Sequence, residues 1–383
     1  MCLFVATLPL SSDYARAWGS LMVGVVGASA RAAVHSLARA GFAAWAVDLF
    51  ADRDLACVAS CRVCPFSEYP GALPYLAARF PPGPVLYTGG LENYPNIVAE
   101  LALSRELWSN PPAVLEAVRD PFRLSVALTE ANLTFPALVP PGSPCPMSGR
   151  YLRKPLRSAG GLGIRFAQPC EPADDSHYFQ EFIDGVSMSA LFRDVTLFGI
   201  SEQLIGESGF HAAPFAYCGN IGPFPAGGEL VARVEALGRV VATAFGLRGV
   251  WGIDFMLKAD VPYMVEVNPR YTAAVEVLEH GLGHAAFLAG PSRTPHGVIG
   301  KAIYFAPHAI TFPNGGPWDA DLVGDFDPWR LPNFADIPEP GARIEAGHPV
   351  LTILLEGSSP ADCRVRLQSR AVELDQLFAG NTP

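Results

Sequence analysis

Apolar residues in this chain fall into short blocks whose spacing switches between the period of a strand and that of a helix. Leu21 to Val26 is a continuous apolar run closed by Gly27-Ala28-Ser29-Ala30-Arg31. Ala33, Leu37, Ala38 and Ala40 then recur with helical spacing as far as Gly41, and Trp45 to Leu49 is a second apolar run. Strand, tight turn, helix and strand in this order predict the start of a parallel α/β sheet of nucleotide-fold character, continued by Val85 to Thr88. Pro111-Pro112 opens a helical segment predicted from Ala113 to about Leu128. Beyond a Pro/Gly-rich connection at Val139 to Met147, the pattern predicts strands at Arg150 to Pro155, Ile164 to Ala167, Tyr178 to Ile183 and Ser187 to Phe192. Val231, Val234, Leu237, Val241 and Ala244 trace one side of a helix over Glu229 to Phe245. From about Pro295 onward, Ala302 to Phe305 and Val350 to Leu355 predict a smaller β-rich portion.

Trp251 to Arg270, W-G-I-D-F-M-L-K-A-D-V-P-Y-M-V-E-V-N-P-R, reads as a hairpin. Alternation puts Gly252, Asp254 and Met256 on one face, and Met264, Glu266 and Asn268 together on one face of the return strand. A turn through Ala259, Asp260 and Val261 sets Asp254 opposite Glu266. Two carboxylates with Cβ atoms about 5 Å apart repel unless a cation lies between them. Oxygen ligands from Asp254, Glu266 and Asn268 suit Mg²⁺, with Mn²⁺ as the alternative, in the company of nucleotide phosphates. The plain alternative is the solvated face of an edge hairpin. Upstream, Lys154 sits in a strand that runs into Arg157-Ser158-Ala159-Gly160-Gly161-Leu162-Gly163. Glycines between two strands can form a flap whose N–H groups close over phosphate oxygens, or an ordinary turn.

Composition narrows the field. The 383 residues are 50% apolar and 17% charged with net charge −10, which suits two or three folded domains and argues against a nucleic-acid partner. Met1 to Leu10 is apolar but lacks a basic leader and is interrupted by Asp13 and Arg16. It reads as neither a signal peptide nor a membrane span. Eight cysteines without such a leader imply reduced thiols in a cytoplasmic protein without a membrane partner. Three other chemistries compete. Gly24-x-x-Gly27-x-Ser29 with Asp48 is an incomplete dinucleotide fingerprint, in which Asp48 would hold a ribose. Cys57-x-x-x-Cys61-x-x-Cys64 has the spacing of radical S-adenosylmethionine iron–sulfur motifs, with structural zinc as a variant. His280 and His284 have ligand spacing, but Gly281 and Gly283 argue against the helix they need. His211, in the Ser208 to Tyr217 loop, is a candidate lining of an acceptor pocket.

The order of a nucleotide-fold start, a strand lysine, a Gly-rich flap, Q-E-F-I-x-G, G-x-D-F and V-E-V-N-P-R resembles the ATP-grasp superfamily over most of the chain. G-A-S-A-R-A near residue 27, A-V-D-L-F near 48, and A-D-I-P-x-P-G with G-H-P-V near the end resemble the predicted ATP-dependent carboligase group related to biotin carboxylase. The resemblance implies an α/β ATP-grasp fold: a pre-ATP-grasp domain over 1–112, an ATP-grasp domain over 113–294 with a flap lobe at about 148–183, and a biotin-carboxylase-C-like portion over 295–383. It implies ATP as cofactor, with Lys154 on the α- and β-phosphates and Gly160, Gly161 and Gly163 as a mobile cover. Gln180, Glu181, Phe182 and Ile183 would meet adenine, and Asp254, Glu266 and Asn268 would hold Mg²⁺. Arg270 would stabilise the transferred phosphoryl group, and Arg123 would stand in for a second phosphate-binding cation. Two departures matter. Ser187 stands where relatives carry a carboxylate for ribose, and Tyr271-Thr272-Ala273-Ala274 replaces the stretch that handles bicarbonate. The implied reaction is therefore ADP-producing amide formation between a small carboxylate and an amine through an acyl phosphate, in synthesis of a one-carbon-carrier coenzyme of tetrahydromethanopterin or methanofuran type. Relatives with this architecture are often homodimers. A non-catalytic ATP-binding regulatory protein is the second reading.

Overall fold

The computed structural model describes residues 21–172, 174–287 and 294–379. Met1 to Leu10, read above as neither leader nor membrane span, lies outside them. Strands β1 (Met22–Val26), β2 (Ala43–Asp48), β3 (Ser60–Val63) and β4 (Val85–Tyr87) form a parallel sheet in the order β3-β2-β1-β4. The unbroken apolar run of β1 is explained by burial on both faces. Gly24 is required there, since a Cβ would lie 2.2 Å from the Trp45 ring.

The single helix predicted from Ala113 is two, Pro112–Val118 and Pro121–Glu130. A residue before proline is driven out of the α region, and Asp120 is extended at φ −84° and ψ 106°. Its carboxylate caps the second helix, accepting from Phe122 N at 2.9 Å and Arg123 N at 3.2 Å. A four-stranded antiparallel lobe follows, made of β5 (Leu138–Val139), β6 (Tyr151–Pro155), β7 (Arg165–Phe166) and β8 (His177–Glu181) in the order β5-β8-β6-β7.

The largest sheet has eight antiparallel strands. It takes β9 (Val186–Arg193), β10 (Thr196–Ile205), β11 (Tyr217–Gly222), β12 (Val250–Lys258), β13 (Val261–Asn268) and β14 (Val298–Phe305). After a short β15 (Ile310–Thr311), β16 (Phe334–Ala335), β17 (Arg343–Ile344) and β18 (Pro349–Gly357) follow, and β16 and β18 complete the order β13-β12-β9-β10-β11-β14-β18-β16. Thus β14, β16 and β18 extend the sheet that carries the acidic hairpin. Helix Gly228–Phe245 buries Leu230, Val234, Leu237 and Val241 against β9, β12 and β13, and helix Pro360–Ala379 covers the other end through Leu367, Ala371 and Phe378.

Helix Ala274–Leu282 forms despite its glycines. Gly281 is required because a Cβ would come within 2.2 Å of Pro223, and Gly283 ends the helix at φ 73°. His284 therefore falls beyond the helix, and His280 is buried beside Arg39 with its pKa lowered to about 3, chiefly by burial. They do not form a ligand pair.

Ion pairs join this helix to helix Arg31–Arg39 and to the C-terminal segment. Arg31 binds both oxygens of Glu276 and both oxygens of Asp336, the latter at 3.0 Å. Lys301 reaches Glu276 at 2.8 Å, and Arg39 reaches Glu279 at 2.7 Å. Burial opposes ionisation of Glu276, but Arg31 and Lys301 outweigh it and hold the carboxyl well below its ordinary range. The Arg31 side chain is fully buried. Arg31→Ala should therefore destabilise the protein by about 3–5 kcal/mol in denaturant titrations, the cost of leaving buried carboxylates uncompensated.

Candidate functional site

Opposition of Asp254 and Glu266 is observed directly in the β12–β13 ladder. It is reached differently from the sequence expectation. Lys258 pairs with Val261 across a two-residue turn, with Ala259 and Asp260 at φ 48° and 60°, the left-handed pair that tight hairpins prefer. That turn alone would misalign the carboxylates. A bulge between Asp254 and Phe255 leaves Val265 without a partner and restores the pairing. The bulge also corrects the expected face of Met264. It pairs with Phe255 in the apolar core and not with the side that carries Glu266.

Asp254 Oδ1 accepts from Gln203 Nε2 and Oδ2 from Asn268 Nδ2, each at 2.9 Å. Ser187 donates to Gln203 at 2.9 Å, so it stands behind the acidic pair. Burial, then the charge of Glu266, pushes the Asp254 pKa up to about 7. Glu266 Oε1 accepts from Arg119 Nη1 at 2.6 Å. Arg119 also donates to Ser158 O at 2.8 Å and Asn93 Oδ1 at 3.3 Å, joining hairpin, Gly-rich loop and β4 exit loop in one contact set. Arg119 was not among the residues singled out from the sequence. Arg123, which was, is exposed on its helix with its guanidinium 5.8 Å from the Phe245 ring centroid. The helix break at Asp120-Pro121 separates the two arginines.

Arg270 Nη2 donates to Glu92 at 2.7 Å and to Asn268 Oδ1 at 3.1 Å. Asn268 thus turns its oxygen to Arg270 and its amide to Asp254. Lys154 and Gln180 lie on neighbouring strands of the flap lobe, with Lys154 Nζ 2.9 Å from Gln180 Oε1. Among the described residues, Gln180 Nε2 is buried without a partner, as is Arg119 Nε. Glu181 is exposed and accepts from Ala137 N at 3.1 Å, Ile183 is buried, and Phe182 lies between the Arg150 guanidinium, at 4.3 Å, and Phe166, at 5.1 Å. Gly160, Gly161 and Gly163 have φ of 61°, 82° and 78°. A Cβ on Gly161 would lie 1.9 Å from Phe215 O, and Tyr217 N donates to Gly160 O at 3.1 Å. The Gly-rich loop is therefore seated on residues 215–217.

The remaining candidate motifs do not build a second site. Asp48 is fully buried. Its Oδ2 accepts from Ala30 N at 3.0 Å, and its Oδ1 from Phe50 N and Ala51 N at 3.1 and 2.8 Å. Both oxygens hold the turn, which leaves no ribose contact of the dinucleotide type. Cys64 is buried while Cys57 is exposed. Among the described residues, no three His, Cys, Asp or Glu side chains converge as a metal-binding group. His211 pairs with Asp375 at 2.7 Å, on helix Pro360–Ala379. No helix among the described residues is long and apolar enough to cross a membrane.

Residues 118–274 match the ATP-grasp domain family. A stretch of 172 residues is 30% identical to the carbamoyl phosphate synthase large chain of Kocuria rhizophila, covering 43% of this chain and 15% of that one. Another of 183 residues is 30% identical to an uncharacterized protein of Methanocaldococcus jannaschii, covering 46% and 41%. The chain thus spans less than half the length of either relative. In fold it is similar to the L-amino acid ligase of Bacillus licheniformis, with TM-score 0.65 and 14% identity over 92% of this chain and 97% of that one. Biotin carboxylase of Campylobacter jejuni gives TM-score 0.66 and 14% identity over 90% and 89%. A parallel first sheet, a Gly-rich lobe and an acidic hairpin on a large antiparallel sheet accompany these matches: residues 118–274 carry an ATP-grasp domain, and the chain as a whole has the ATP-grasp fold that biotin carboxylase and the L-amino acid ligase share.

Proposed function

We propose that this protein is an ADP-producing ligase that joins a small carboxylate to an amine through an acyl phosphate. The observation that carries the reading is the opposed, half-buried Asp254–Glu266 pair with Asn268 beside it. Two carboxylates and an amide oxygen suit Mg²⁺, which takes its remaining ligands from phosphates and water. Burial and then the charge of Glu266 raise the Asp254 pKa, and a cation held between the two carboxylates would offset both effects. Asp254, Glu266 and Asn268 would hold the metal, which supplies charge neutralisation on the β- and γ-phosphate oxygens. To hold it, Glu266 and Asn268 would turn oxygens now engaged by Arg119 and Arg270.

Lys154 and Gln180 are assigned to the nucleotide, Lys154 as a phosphate cation and the unpartnered Gln180 Nε2 as a donor. Glu181 to Ile183 border the adenine, and Gly160, Gly161 and Gly163 cover the phosphates with backbone N–H groups. Arg119 takes the role expected of Arg123, because it touches Glu266 and the flap. A carboxylate oxygen of the acid attacks the γ-phosphorus in line while ADP leaves with the bridging oxygen. Arg270 stabilises the charge on the transferred group. The amine nitrogen then bonds to the acyl carbon, the C–O bond to phosphate breaks with its electron pair, and the proton lost by nitrogen leaves with the phosphate. A closed flap excludes water, which would otherwise hydrolyse the acyl phosphate. The fold of the L-amino acid ligase supports amide formation, and Tyr271-Thr272-Ala273-Ala274 disfavours biotin carboxylation. Precursors of one-carbon-carrier coenzymes, amines and acids alike, are the first substrates to screen by ADP release.

Glu266→Gln should lower Mg²⁺-dependent ADP release by about 10²–10³-fold with an unchanged circular dichroism spectrum, the loss expected for one electrostatic contact to a transferring group. Turnover at the wild-type rate would remove the assignment. The Asp254 shift gives a second test. Its pKa is raised from 3.8 to about 7, so the folded state keeps a proton that the unfolded chain has lost between these values. Without metal, this group's contribution to stability is full below the lower value and is lost as pH rises through the upper one. Excess MgCl₂ should therefore raise the melting temperature more at about pH 8 than at about pH 6, where metal and proton compete, and Asp254→Asn should abolish the difference.

A further inference from the structure

Open parallel sheets bind ligands beyond the carboxyl ends of their strands, where the strand order reverses. In the order β3-β2-β1-β4 that point lies between β1 and β4. The two exit turns meet there, with Ala28 N donating to Gly89 O at 3.5 Å and Thr88 N to Val26 O at 2.9 Å. Two glycines leave the space that hydroxyls occupy. A Cβ on Gly27 would lie 2.0 Å from Thr88 Oγ1, and one on Gly90 would lie 2.9 Å from the Tyr69 hydroxyl. Both hydroxyl oxygens are buried without a hydrogen-bond partner among the described residues.

A third unpartnered atom belongs to the same loop. Glu92 is only 2% exposed; one oxygen accepts from Arg270, while Oε2 has no partner among the described residues. Leaving a buried polar group unsatisfied costs about 1–3 kcal/mol, and three such groups at a strand-order reversal mark a site that a ligand completes. The site adjoins the acidic hairpin, since a Cβ on Gly89 would lie 3.4 Å from the Arg270 guanidinium and Arg270 contacts Asn268.

The chemistry of the wall selects the ligand. Burial opposes ionisation of Glu92, but Arg270 outweighs it and lowers the pKa, so the carboxylate is charged at neutral pH. An anionic acceptor attracts N–H donors and repels a second carboxylate. The first turn of helix Arg31–Arg39 is unsuited to an anion, because the Asp48 carboxylate already caps it at Ala30 N. The loops leaving β2, β3 and β4 also carry exposed rings. Phe50 and Phe66 meet edge-on with centroids 5.6 Å apart, and Tyr94 meets Tyr69 at 6.5 Å. Exposed rings grouped at one edge of a sheet offer faces for another planar group.

We propose that this crevice is the amine subsite, taking a primary amine that carries a planar ring. The nitrogen donates to Glu92 Oε2, the Tyr69 and Thr88 hydroxyls complete its shell, and the ring lies against Phe50, Phe66 and Tyr94. The assignment rests on the ligase reading above and adds the class of its second substrate.

Calorimetry on the full chain tests it, with 2-phenylethylamine, butylamine and 3-phenylpropionate titrated in the presence of Mg·AMP-PNP. The ring amine should bind, butylamine should bind at least about tenfold more weakly, and 3-phenylpropionate, which has its own place in the acid site, should not compete with the ring amine. Glu92→Gln should weaken the ring amine by about tenfold or more while the affinity for Mg·AMP-PNP is retained. Because Glu92→Gln also alters the contact to Arg270, Tyr69→Phe, which removes only an unpartnered hydroxyl, is the second variant and should weaken the amine several-fold. Displacement of the ring amine by 3-phenylpropionate, equal binding of butylamine, or unchanged affinity in both variants overturns the proposal. Absence of amine binding with Mg·AMP-PNP bound overturns it alone, whereas failure of Mg·AMP-PNP to bind overturns the ligase reading with it.

Discussion

Repulsion between Asp254 and Glu266 is the constraint around which the site is arranged. The ladder fixes them opposite each other, and partial burial withholds much of the water that would screen their charges. Contacts that ease the conflict include those of Gln203 and Asn268 with Asp254, and of Arg119 with Glu266. Each of these groups leads outward to another part of the molecule. Gln203 leads to Ser187, Asn268 to Arg270 and Glu92, and Arg119 to Asn93 and Ser158. Any cation that replaces them changes contacts in the β4 exit loop and the Gly-rich loop at once.

A second set of charges holds the frame in which this exchange occurs. Arg31, Glu276, Lys301 and Asp336 come from segments 305 residues apart at the extremes, and all are paired. A buried ion pair is weak evidence for stability, because desolvation consumes much of its attraction. Its value lies in direction. Guanidinium forks accept few orientations, so the helix after β1, the helix after the acidic hairpin and the segment before β18 are held in one mutual register.

Strands β1, β2, β4, β6, β8 and β9 were legible because alternation and continuous apolar runs report burial directly, whereas β3, β10 and β11 were not read, their patterns being interrupted by polar residues and glycines. The hairpin was legible for the same reason, although its register arose from a two-residue turn plus a bulge, and bulges leave no mark in a hydrophobic pattern. The helix at Ala274–Leu282 was hidden because Gly281 reads as a helix breaker until Pro223 is seen against it. Arg119 was hidden by the helix break at Pro121, which removed Arg123 from the site and left an arginine four residues earlier in its place. Glu92 and Arg270 lie 178 residues apart, and neither residue type by itself signals the other. Asp48 looked like a ribose ligand because turn-capping and sugar-binding carboxylates occupy the same place at a strand end.

The seat of the Gly-rich loop has a consequence for the far end of the chain. Residues 215–217 receive Gly160 and Gly161, and the segment leading to them is tied to helix Pro360–Ala379 through His211 with Asp375 and Glu207 with Arg364. Helix Pro360–Ala379 therefore buttresses the seat of the Gly-rich loop from its far side. Shortening the chain there would leave Glu207 and His211 without these partners and loosen the shelf on which Gly160 and Gly161 rest.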